Sequence, residues 1–245
     1  MNAVFKREIR FLFHSIPGIC AIVAYLVVFG VLFTAYNLNF GYPEVDAVYL
    51  LGALPITAVC GVLGCTAFYD ERKNQSGRFL AMLPLSCKDI VLGKFFARFV
   101  LLMIPTAVVA LYPVILDSFG EINYLGSYSM LLALCFYQGF SLAISMMFSA
   151  VCKNVIIPFF CTCGIFLLGF LVPYVPTWLV GAVSEQTLAT LQDITVFLSP
   201  YAQLDYFSIG IFDIRKIVWL AVFTSAALFV SWFCFNNGRG NKSEE

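Results

Sequence analysis

Charge is what this sequence has least of. Of 245 residues, 14 are Lys or Arg and 14 are Asp or Glu, 11% together with no net charge. Ordinary soluble domains carry about 25%. With so little basic surface, no nucleic-acid partner is expected. Histidine is nearly missing: His14 is the only one, too few for a metal cluster or a proton relay. No G-x-x-x-x-G-K-[ST] occurs, and Gly93-Lys94 is followed by Phe95 with no phosphate loop before it, so ATP cannot be cradled by that route. Paired carboxylates, HExxH and GxSxG are also missing. A chain without these parts is not expected to be an enzyme, and no cofactor or metal is expected on it. The nine cysteines form no CxxC. Cys20, Cys60, Cys65, Cys135, Cys161, Cys163 and Cys234 lie within apolar runs, and Cys87 and Cys152 lie at their reducing-side ends. They read as small apolar side chains in a packed bundle.

What the sequence has is hydrocarbon: 61% hydrophobic residues, 26 of them Phe, and a mean hydropathy of +0.91. A helix needs roughly 20 apolar residues to cross a bilayer. Six runs meet or approach this: 16–36, 48–69, 99–116, 128–151, 155–174 and 217–235. In lipid each backbone polar group must find a partner within its own segment, so the runs predict helices. The expected fold is an all-α integral membrane protein with six transmembrane helices.

Lys and Arg orient it. Twelve of the 14 basic residues fall at the N-terminus, after the second and fourth runs, and in the tail. This places both termini in the cytoplasm. Arg215 and Lys216, at the outer mouth of the sixth run, break the rule, with Asp213 and Asp205 as candidate partners. The segment AVFKREIRFLFHS alternates basic and apolar residues at helical spacing, which predicts an amphipathic helix in the cytoplasmic interface. The first apolar run is too long for a signal peptide and is read as retained.

Residues 70–94, DERKNQSGRFLAMLPLSCKDIVLGK, concentrate charge between two runs. The stretch GRFLAML allows about two helical turns with Phe79, Leu80 and Leu83 on one face. Pro84 ends them. Ser86 with Asp89 then makes a capping pattern, so a new helix should start near Cys87. The expected shape is a short surface helix, a sharp break and a span. The bland alternative is a solvated loop whose charge serves only topology.

Here a resemblance enters. Glu71, Arg72, Gly77, Leu83, Pro84, Leu85, Ser86, Asp89 and Ile90 through Lys94 form E-R-x4-G-x5-L-P-L-S-x-x-D-I-V-L-G-K. This resembles the cytoplasmic segment of ABC-2-type transporter permeases. Arg78 and Phe79 depart from that pattern, standing where a polar residue and a glutamate are common. A second stretch, SPYAQLDYFSIGIFDIRK, is similar to the outer segment before the last span in the gliding-motility and nitrous-oxide-accessory branch. Its matching residues are Ser199, Pro200, Phe207, Gly210, Asp213 and Arg215. The resemblance implies a bacterial cytoplasmic-membrane exporter with cytoplasmic ABC ATPase subunits, which would hold the ATP and Mg. It also implies a second permease subunit, identical or paralogous. The segment after span 2 would be a coupling helix seated in the ATPase, its contacts carried by Glu71, Arg72, Gly77, Arg78, Phe79, Leu83 and Pro84. Residues 1–240 would form one transmembrane domain and 241–245 a polar tail.

Between spans 5 and 6, Pro173, Pro176 and Pro200 break a long outer region, where short or re-entrant helices are expected. Pro105, Pro113 and Pro158 are candidate kinks. Gly139, Ser141, Ser145 and Ser149 make a small-residue stripe, suited to packing within the chain or to a subunit interface. Phe159, Phe160, Phe166 and Phe170 either pack or line a path for a hydrophobic or amphipathic substrate. The spans as drawn hold almost no ionisable residue. This weighs against an ion-gradient-driven transporter and leaves a non-transporting membrane scaffold as the other alternative.

Overall fold

The computed structural model describes residues 2–41, 44–73, 87–120, 122–152, 154–178, 185–208 and 212–240. All regular structure among them is helical. The elements are α1 (Asn2–His14), α2 (Ile16–Phe33) continued by a π-helical segment (Thr34–Asn39), α3 (Asp46–Lys73), α4 (Cys87–Val109), α5 (Tyr112–Leu116), α6 (Tyr124–Val151), α7 (Ile156–Leu171), α8 (Val175–Trp178), α9 (Glu185–Leu198), α10 (Pro200–Ser208) and α11 (Ile214–Gly240). Six stretches are long and apolar enough to cross a membrane: Ile16–Asn39, Asp46–Tyr69, Cys87–Leu116, Tyr124–Val151, Ile156–Thr177 and Ile214–Asn236.

Spans 2 and 4 form the centre, with 67% of each buried inside the chain against 17% of spans 5 and 6. Hydroxyl rungs join them. Ser145 Oγ donates to the Gly61 carbonyl at 3.0 Å. One turn on, Ser149 Oγ donates to the Cys65 carbonyl at 2.8 Å. Both rungs span 84 residues, so α3 and α6 run parallel and in register. Gly64 faces Ser145 so closely that a Cβ there would collide with the serine Cβ and Oγ. The small-residue stripe therefore packs within the chain: Ser145 and Ser149 against α3, and Gly139 against Phe99 of α4.

Local chemistry sets the helix ends. Ser15 separates α1 from α2; its Oγ donates to the Leu12 carbonyl at 3.0 Å and accepts from the Gly18 amide at 3.3 Å. Asn123 caps α6 by accepting from the Gly126 amide at 3.2 Å. At Cys87, the first described residue after 73, span 3 is already helical, twelve residues before the apolar run; Ser86 of the capping pattern lies outside the described residues. Span 3 breaks after Val109. Pro113 has no N–H to offer the Val109 carbonyl four residues back. Tyr49 Oη donates to that oxygen instead, at 3.1 Å. Tyr128 Oη reaches the next carbonyl, Ala110, at 3.4 Å. Deeper in, Tyr25 Oη, Thr106 Oγ1 and Gln138 Nε2 form a buried chain linking spans 1, 3 and 4 at 2.9 and 3.2 Å.

Candidate functional site

Of the residues expected to meet a cytoplasmic partner, Glu71 and Arg72 stand on the last turn of α3. Gly77, Arg78, Phe79, Leu83 and Pro84 lie outside the described residues. What the structure details is the base from which that connection emerges, the end of α3 and the start of α4, and this base is fastened by charge.

Lys94 and Arg98 are one turn apart on α4 and therefore share a face. Both are only 2% exposed. Lys94 Nζ donates to the Ala67 carbonyl at 2.8 Å, and Arg98 Nε to the Leu63 carbonyl at 3.0 Å, tying α4 to α3. Their charge is balanced from α1. Glu8, 6% exposed, lies 3.4 Å from Lys94 Nζ and 3.5 Å from Arg98 Nη1. Arg7 Nη2 donates to the same carboxylate at 3.0 Å. Burial pushes the Glu8 carboxyl up, but Lys94, then Arg98, then the Arg7 hydrogen bond outweigh it. The group ends below the usual carboxylate range, charged at neutral pH. Glu8 sits between Val4 and Leu12 on the buried face of α1, and Gly93 lets that face approach: a Cβ there would stand 3.1 Å from Val4 Cγ1.

Six residues before Lys94, Lys88 Nζ lies 4.8 Å from the centre of the Trp232 ring of α11. The Phe68 and Phe235 rings meet with centres 5.1 Å apart, tilted by 36°, and Lys94 Nζ lies 5.8 Å from the Phe68 ring. The end of span 2, the start of span 3, the Trp232–Phe235 end of span 6 and helix α1 thus meet in one packed junction.

Of the segment 199–216, the structure describes α10 and the start of α11; Ser199, at the turn from α9 into α10, packs against span 5. Ser199 Oγ donates to the Gly169 carbonyl at 2.6 Å and accepts from the Ala202 amide at 3.1 Å. Gln203 Nε2 donates back to the Val196 carbonyl at 2.8 Å. Pro200 and Phe207 are buried, and Gly210 lies outside the described residues. Asp213 Oδ1 accepts from the Arg215 amide at 2.9 Å, at the start of α11. Neither Asp213 nor Asp205 pairs with the side chain of Arg215 or Lys216. Lys216 Nζ instead stands 4.1 Å from the centre of the Tyr206 ring, and the Arg215 side chain is exposed.

The four phenylalanines of span 5 do not line one path. Phe166 is buried against Tyr137 and Phe140, Phe159 touches Gly61, Phe170 packs on Tyr201, and Phe160 is exposed. All nine cysteines are free, and among the described residues no three His, Cys, Asp or Glu side chains group as metal ligands. As sequence, Lys94 and Arg98 count only as connection charges, and Glu8 draws no expectation. The signals were present. Lys94 and Arg98 are four apart on a helix, and Glu8 is the only acid of α1, set between apolar residues at i−4 and i+4.

The family model described as ABC-2 family transporter protein matches residues 32–235. No curated protein matches the chain. The matched stretch includes Lys94, Arg98 and the whole outer segment, while α1 and Glu8 precede it.

Proposed function

The chain belongs to the ABC-2 transporter family and is a multi-pass membrane protein, and from that premise we propose that it is the permease subunit of an ATP-binding-cassette exporter. Cytoplasmic ATPase subunits would hold and hydrolyse ATP with Mg. A second permease subunit, identical or paralogous, would complete the pore. Both termini face the cytoplasm of a bacterial cell on this reading. The segment after span 2 forms the coupling element, with Glu71, Arg72, Gly77, Arg78, Phe79, Leu83 and Pro84 against the ATPase. The motif 199–216 supports a place in the gliding-motility and nitrous-oxide-accessory branch. Its Pro200, Phe207, Gly210, Asp213 and Arg215 shape the outer end of the path. The substrate is hydrophobic or amphipathic, consistent with spans that offer almost no unpaired charge.

The observation that best supports this reading is the junction of Glu8, Lys94 and Arg98. A segment that takes up force from a moving partner needs a stiff mount. Here the two helices that flank residues 74–86 are bolted together and to α1 by buried ionic and backbone bonds. Displacement of the segment would therefore move spans 2 and 3 as one body.

The test is a mild-detergent pull-down of tagged chain from its native membrane, with mass spectrometry and an ATPase assay. A stoichiometric ATP-binding-cassette ATPase should appear and should vanish when residues 71–84 are scrambled in an otherwise folded chain. Variants of Glu71, Arg72 or Gly77 should hydrolyse ATP without transport. Recovery of an active chain free of any ATPase would replace this reading with a gradient-driven transporter.

A further inference from the structure

We propose that the exposed face of α1 binds the phosphate of anionic membrane lipids, and that Arg7 links the bound headgroup to the Glu8 clamp. The inference concerns α1 alone and does not depend on the ATPase reading.

Helix α1 has two chemically distinct faces. Val4, Glu8 and Leu12, four apart, are buried. Lys6, Arg7, Arg10, Phe11 and His14 line one open groove on the opposite side. The only acid of the helix is Glu8, and it is turned inward, so the side chains that line the groove among the described residues are basic and aromatic. His14 Nδ1 lies 2.9 Å from the Arg10 carbonyl, which holds the ring beside that arginine. This set suits an anion with several acceptor oxygens.

The apolar part of the face selects lipid over an acidic protein as occupant. Phe11, which lines the groove, is exposed, and so are Ile16 and Ile19 just past Ser15 on the first span. The basic groove is thus followed in the chain by uncovered apolar side chains on a helix long and apolar enough to cross a bilayer. Acyl chains below a phosphate layer match both parts. Arg7 lines that groove and its Nη2 donates to Glu8 at 3.0 Å, so a phosphate drawn to its guanidinium acts on the clamp. A headgroup seated there would hold Arg7, and through it Glu8, in place.

The experiment uses the full chain in nanodiscs of phosphatidylcholine with or without phosphatidylglycerol, carrying a photo-crosslinking amino acid in place of Phe11. Headgroup-labelled phosphatidylglycerol should be captured several-fold more than labelled phosphatidylcholine. Added salt should reduce this capture, because exposed charges are screened. Lys6→Gln with Arg10→Gln should abolish the preference while leaving the melting temperature in pure phosphatidylcholine unchanged. Phosphatidylglycerol should raise the melting temperature of the native chain but not of Arg7→Gln. Equal capture of both lipids, or a preference that survives Lys6→Gln with Arg10→Gln or high salt, would overturn the proposal. So would crosslinking in native membranes to a soluble protein in place of lipid. The salt titration reads the native groove even if the double variant fails to fold.

Discussion

Glu8 Oε1 and Lys94 Nζ stand 3.4 Å apart across 86 residues of sequence, both buried. A chain with 28 charged residues in 245 has placed one acid and two bases where water is scarce. Such groups are costly to bury and strongly bound once paired. Removing the acid takes away the carboxylate that both Lys94 and Arg98 approach. Glu8→Gln should therefore cost about 3–5 kcal/mol and lower the melting temperature of the purified chain. Adding Lys94→Met should restore part of the loss, because one of the two cations that face the lost carboxylate goes with it. A Glu8→Gln chain that melts like the native one would show that the clamp holds nothing together.

The same carboxylate predicts an acid transition. Its folded pKa lies below the ordinary 4.5. A depressed acid contributes stability that is fully present above its unfolded value and is lost as pH falls through the folded value. Melting temperature should therefore hold steady from neutrality down to about pH 5 and then decline. Glu8→Gln should flatten that decline. Melts recorded across this range for both chains decide the matter.

The α3–α6 seam predicts a contrast between two glycines. A Cβ at Gly64 collides with Ser145, whereas one at Gly164 meets nothing within 4 Å. Gly64→Ala should destabilise by about 1–3 kcal/mol through overpacking. Gly164→Ala should be neutral or stabilising by up to about 1 kcal/mol, since alanine is the better helix former. Denaturation midpoints of the two variants in one detergent check the sign as well as the size.

Lys88 and Trp232 predict a coupled pair. Trp232→Leu and Lys88→Met should each lose about 0.5–2 kcal/mol, and the double variant should lose little more than either single one. Trp232→Phe should keep part of the interaction. Strict additivity in this cycle would mean that the 4.8 Å approach carries no energy.

The spans were legible because bilayer thickness imposes a length and lipid forbids unpaired backbone, two constraints that act on any window of sequence alone. The partners were harder. Arg215 and Lys216 suggested a carboxylate mate, but Lys216 found Tyr206, and Asp213 instead serves the amide at the start of α11. Glu8 meets Lys94 and Arg98 only after α1 lies down beside span 3, and no local pattern reports that. The small-residue stripe left packing within the chain and packing between subunits open. The direction of the Ser145 and Ser149 hydroxyls decided it.

The break in span 3 has a consequence of its own. An unbroken helix hangs on its own ladder and pivots as a single rod. Beyond Val109 the ladder is handed to Tyr49 and Tyr128, which belong to spans 2 and 4. The stub Tyr112–Leu116 is thus a tenant of the central pair. When span 2 shifts, span 3 is carried with it on both sides of its break, through Tyr49 on one side and through Lys94 and Arg98 on the other. One stretch of chain is thus moored twice to the same neighbour, and the tyrosine hydroxyls keep the break satisfied in a solvent that would not.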